Sequence, residues 1–95
     1  MTNGEVALFR IGIDPSGVRA KKVCDFINYW TTTDLELDLA LRRYCRLNEI
    51  DVVALKQAFY WVKEKAIANN DLLAQLFKSL SCDEFIIVLT NISIN

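Results

Sequence analysis

Apolar positions along this chain recur every three or four residues over most of its length. Between Val18 and Trp30, the residues Ala20, Val23, Cys24, Phe26, Ile27 and Trp30 share one side, while Arg19, Lys21, Lys22 and Asp25 lie mostly opposite. That spacing predicts an amphipathic helix. Thr31, Thr32 and Thr33 end it, because threonine competes for backbone hydrogen bonds and loses rotamer freedom in a helix. Thr33 followed by Glu36 has the form of a capping box, so a second helix is expected from Asp34 to Leu47. It gathers Leu37, Ala40, Leu41, Tyr44 and Cys45 on one face. Its acids (Asp34, Glu36, Asp38) come early and its bases (Arg42, Arg43, Arg46) late, the order a helix macrodipole favours. Asn48 is placed to cap a third helix, Glu49 to Ala68, with a core stripe of Val52, Leu55, Phe59, Val62 and Ala66. Asn69, Asn70 and Asp71 then stop that helix and start a short one carrying Leu72, Leu73, Leu76, Phe77 and Leu80.

The two ends carry a different signal. Val6 to Ile13 is rich in β-branched and aromatic residues and runs into Asp14-Pro15-Ser16-Gly17, which is good turn chemistry. This reads as a strand or extended arm. At the other end, Ser81 and Glu84 make a second capping box, so a helix is expected to begin near Cys82. Yet Phe85 to Ile94 is also β-rich, and its end reads as extended, the one available partner in a small sheet for the N-terminal strand. The expected fold is mainly α: a compact bundle of four or five helices in one domain, residues 1–95. Residues 1–16 form the arm or strand and residues 17–95 the helical body.

Composition sharpens this picture at one point. Hydrophobic residues make up 53% of only 95, with a mean hydropathy of +0.20. Small domains have proportionally more surface, so we expect association to cover some of the apolar area. A net charge of -1 gives no general attraction to nucleic acid or anionic membrane. The longest uncharged stretch, Phe85 to Asn95, is short of the ~20 residues needed to span a bilayer. The start lacks a basic region, and no signal peptide is expected. Three cysteines, Cys24, Cys45 and Cys82, match neither a disulfide framework nor a zinc pattern and read as buried thiols in a reducing cytoplasm.

Candidate chemistry is sparse. The absence of histidine removes the commonest general base and metal ligand. The segment Ile11-Gly12-Ile13-Asp14-Pro15-Ser16-Gly17 resembles the first strand of RuvC-type ribonuclease-H-like nucleases, where the resemblance implies a metal-binding role for Asp14. It covers seven residues, and the amphipathic helices that follow replace the hairpin that fold requires. Asp14 is therefore read as a turn residue that starts a helix. No catalytic residue, metal or cofactor is expected.

The middle of the third predicted helix is more informative. Phe59, Tyr60 and Trp61 are consecutive, and at about 100° per residue their rings span roughly 200° of the helix. A core-facing stripe is little more than ~100° wide. Beyond the core stripe, Val53, Tyr60 and Ile67 form one apolar row, and Ala54, Trp61 and Ala68 another. Either the helix is central to the bundle or its outer side meets another protein. The partner-binding residues expected are Val53, Tyr60, Trp61 and Ile67, joined by Leu35 and Leu39, which point away from the main stripe of the second helix. The function expected is thus a small non-enzymatic cytoplasmic interaction module or regulator, a homodimer or docked on a protein partner, without membrane contact. The alternative is a helix-turn-helix-like nucleic-acid binder using Arg42, Arg43 and Arg46 with Arg19, Lys21 and Lys22. The acidic balance, and Glu49 and Asp51 at the head of the would-be reading helix, weigh against it.

Overall fold

Thr2 and Glu5 decide how the chain begins. In the computed structural model, which describes residues 1–94, the Thr2 hydroxyl accepts the Glu5 amide at 3.3 Å and the Glu5 carboxylate accepts the Thr2 amide at 3.2 Å. This capping box opens α1 (Asn3–Arg10), a helix where the sequence predicted a strand. The buried residues Gly4, Ala7, Leu8 and Ile11 have helical spacing, which outweighs the β-branched content of the segment. Gly12 follows the C-cap at φ 78, and the Gly12 and Ile13 amides donate to the carbonyls of Phe9 and Leu8, closing a Schellman turn. Asp14 then accepts the Ser16 amide at 3.0 Å, the turn role expected of it.

Five further helices follow: α2 (Val18–Trp30), α3 (Leu37–Asn48), α4 (Val52–Asn69), α5 (Asp71–Lys78) and α6 (Cys82–Ile94). No strand occurs among the described residues, so the small sheet is absent and the bundle has six helices. The threonine run stops α2 as expected, but through hydroxyls that bond backward: Thr31 to the Ile27 carbonyl, Thr32 to Tyr29 and Thr33 to Trp30. Thr33 is thus engaged behind itself, and the capping box with Glu36 does not form. The Trp30 indole N–H donates to the Leu35 carbonyl at 2.8 Å, outside any helix, and α3 begins only at Leu37.

Asn48 likewise caps backward, its amide donating to the Tyr44 carbonyl at 2.8 Å, while Glu49 takes a left-handed turn at φ 55. As a result α4 starts at Val52 rather than Glu49. Asn70 caps α5 through the Leu72 and Leu73 amides, as read from the sequence. The Ser81–Glu84 capping box is formed, and α6 continues helically through the β-rich tail. Its buried residues Cys82, Phe85, Ile86, Leu89, Thr90 and Ser93 keep helical spacing. The Thr90 hydroxyl donates to the Ile86 carbonyl at 2.8 Å and the Ser93 hydroxyl to Thr90, so both polar groups are satisfied where they are buried.

The core is centred on Phe26, which meets Phe59 and Tyr44 edge-on at 5.8 and 5.4 Å between ring centroids. A second pair, Phe77 and Phe85, joins α5 to α6 at 5.3 Å. Helix α1 packs on α2 and α6, and α4 packs on α2, α3, α5 and α6. The N- and C-terminal segments are therefore neighbours, as the sheet reading required, but as helices, with the Arg10 guanidinium donating to the Ile92 carbonyl. Cys24, Cys45 and Cys82 are buried free thiols.

Candidate interaction surface

Helix α4 packs against four neighbours along one side and leaves Val53, Gln57, Tyr60, Glu64, Lys65 and Ala68 exposed along the other. Leu55, Phe59, Val62 and Ala66 are buried as expected, Val52 at the helix start is only partly buried, and Ala58 joins the stripe. The remaining rows divide. Val53 is 59% exposed and Tyr60 47%, with Ile67 half-buried at the end of their row. These large side chains stay at the surface because the helices flanking α4 do not reach around to this side.

Lys63 marks one edge of that row. Lysine is almost never fully buried unless its ammonium finds a partner, yet Lys63 is only 8% exposed. Its ammonium donates to the Leu80 carbonyl just beyond α5 and lies 5.9 Å from the Tyr60 ring centroid. The chain's own cation thus anchors the exposed tyrosine while tying α4 to the α5–α6 turn.

Trp61 has a different environment. About 100° around the helix from Tyr60, it is half-buried against the core. Arg19 of α2 sits over its ring at 5.6 Å and Lys65, one turn further along α4, at 5.7 Å. Arg19, Lys22, Ala54, Gln57, Ala58 and Trp61 line an open groove of about 350 Å³ between α2 and α4. The six residues expected to bind a partner therefore do not form one continuous row: Tyr60 and Val53 face one way and Trp61 another. Leu35 lies in the link before α3 rather than on it, partly packed on the core, and Leu39 is 39% exposed on α3.

The cations of the nucleic-acid alternative are also dispersed in role. Arg42 pairs with Asp38 at 3.1 Å and Lys21 with Asp25 at 3.6 Å, both one helical turn apart. Arg43 and Arg46 are exposed on α3, and Arg19 is engaged with Trp61. Sequence reasoning missed Lys65 and Gln57. The four-residue step from Trp61 to Lys65 was the available signal for the first.

Two other hollows carry polar groups. Thr2, Glu5, Asp14, Lys21, Cys24 and Asp25 lie among the residues around one of them, beside α1 and α2. Its titratable groups are locally engaged: Glu5 with Thr2, Asp14 with Ser16, and Lys21 with Asp25. Burial is the main cause that raises the Cys24 thiol above its ordinary pKa, which keeps it protonated and a poor nucleophile. The other hollow, about 360 Å³, has Trp30, Leu37, Ile87 and Ile94 as its apolar wall. The hydroxyls of Thr31, Thr33 and Thr90 at its edge all donate to carbonyls within or next to their own helices. Among the described residues, no group of three histidine, cysteine or acidic side chains is placed to hold a metal. Among the same residues, no helix is long and apolar enough to cross a membrane. No family model, curated protein or solved structure matches the chain.

Proposed function

We propose that this chain is a small non-enzymatic interaction module that docks, on a second copy or on another protein, through the outer side of α4. The observation that carries the reading is the exposure of Val53 and Tyr60, large apolar-bodied side chains on a helix whose opposite side packs against four neighbours. Tyrosine supplies large contact area with little rotamer entropy to lose and is enriched at interface hot spots. The Lys63 ammonium lies 5.9 Å from the centre of its ring. The three unpaired buried thiols fit a reducing, cytoplasmic setting.

The nucleic-acid alternative has less behind it. One of its three α3 arginines, Arg42, is paired with Asp38, and α4 opens behind Glu49 and Asp51. Phosphate would approach those acids first.

The test compares the full chain with Tyr60→Ala by sedimentation at high micromolar concentration and by thermal melting. Truncating a half-exposed ring is expected to weaken association at least several-fold while barely moving the melting temperature. A chain that is monomeric throughout excludes the second copy and leaves a foreign partner. If Tyr60→Ala instead lowers the melting temperature as much as it lowers binding, the tyrosine is structural and the reading fails.

A further inference from the structure

The groove between α2 and α4 has a chemistry of its own. Its walls are cationic, with Arg19 and Lys22 one turn apart on α2. Lys65 stands over Trp61 at the α4 side. Arg19, Lys22 and Lys65 are exposed, and none is in an ion pair among the described residues, whereas Lys21, Arg42 and Lys56 each have one. No carboxylate lines the groove. Its floor is Ala54 and Ala58, small side chains that let a bulky apolar group approach the α4 backbone, with the half-buried Trp61 beside them.

We propose that this groove is the docking channel for an acidic segment of a protein partner, whose carboxylates pair with Arg19, Lys22 and Lys65 while an apolar side chain settles on Ala54 and Ala58 beside Trp61. Charge complementarity selects the occupant: three unpaired cations, Lys22 in the groove wall and Arg19 and Lys65 over the Trp61 ring, make a local positive patch in a chain of net charge -1. Single-stranded nucleic acid fits less well. Base stacking needs a free ring face, and Trp61 already carries cations over its ring. An acidic peptide needs no such displacement, because carboxylates can bind cations that remain over the ring. The inference deepens the reading of α4 as a docking element and rests on it.

The experiment titrates the full isotope-labelled chain with a short synthetic peptide of glutamate and leucine. A lysine-and-leucine counterpart and an oligothymidylate serve as comparison probes, and the readouts are the Trp61 indole and the Ala54 and Gln57 amide resonances. Saturable shifts with the acidic peptide alone are expected. Affinity should weaken as salt approaches about 0.15 M, where charges are screened within about 8 Å, and fall at least tenfold in both Lys22→Glu and Lys65→Glu. Both lysines are exposed, so the variants should fold, which circular dichroism checks. The proposal is overturned if the Trp61 indole does not move, if the charge reversals bind unchanged, or if oligothymidylate saturates at lower concentration than the peptide. Self-association that responds to Tyr60→Ala, with no peptide response at Trp61, would remove the groove and leave the module. Absence of both would remove both.

Discussion

Gly4 shows how much a single position decides in so small a core. Its amide donates to the Asn28 side chain at 2.7 Å, and a Cβ placed there would lie 2.2 Å from the Cys24 carbonyl oxygen. Backbone meets backbone, so α1 must withdraw from α2 to admit even a methyl group. Although alanine is the better helix former by about 1 kcal/mol, Gly4→Ala should destabilise the fold by about 2 kcal/mol or more, as overpacked sites do. Denaturant unfolding measures this directly, and an unchanged or raised midpoint would contradict the close approach. Lys63 makes the same point for a polar residue. A lysine is expected at the surface, and its bond to the Leu80 carbonyl satisfies the ammonium where the side chain is buried.

At the scale of elements, local chemistry was legible where the capping side chain bonds forward into the helix it precedes. The Ser81–Glu84 box is formed as read, and Asn70 caps α5. The failures have a common cause. A threonine or asparagine can bond forward to start a helix or backward to finish one, and composition does not say which. Thr33 and Asn48 both bond backward, which delays α3 to Leu37 and α4 to Val52. For α1 the sequence carries both signals, the Thr2 and Glu5 capping box and the β-branched residues from Val6 onward, and the box with helical burial prevails. Helix α6 is the corresponding case at the other end, where β-propensity gives way to packing against α1 and α4. Because Phe85, Ile86 and Leu89 are fully buried, removing residues 85–94 is expected to leave insoluble or unfolded protein. A truncated chain that stays soluble and melts cooperatively would show that α6 is dispensable.

For the molecule as a whole, pH should act on stability from both sides. Glu5 and Glu84 titrate below the ordinary carboxylate range, first because backbone amides of Thr2 and Ser81 donate to them and then through the hydroxyls. A depressed folded-state pKa adds stability above the unfolded value and loses it as acid protonates the group. Burial is the largest cause that pushes Cys24, Cys45, Cys82 and Tyr44 upward. A raised pKa adds stability below the unfolded value and loses it as base ionises the unfolded chain. Melting temperature should therefore be nearly flat between about pH 5 and 8, falling on either side, with the acid limb shallower in Glu84→Gln. A melting temperature that climbs above pH 9 would contradict the thiol and phenol burial.

The same scale divides what was readable from what was not. Helical spacing and capping residues are short-range properties, so the sequence alone set the helical class, the α2 and α6 starts and the core stripe of α4. It also set the excess of apolar rows on α4, because that depends only on a rotation of about 100° per residue. Which row is covered depends on where helices distant in sequence come to rest. Only the tertiary structure left Tyr60 and Val53 open, brought Arg19 over Trp61, and drew Lys63 inward to the Leu80 carbonyl. Those contacts join residues up to 42 positions apart, as Arg19 and Trp61 are, and periodicity along one helix carries no information about its neighbours.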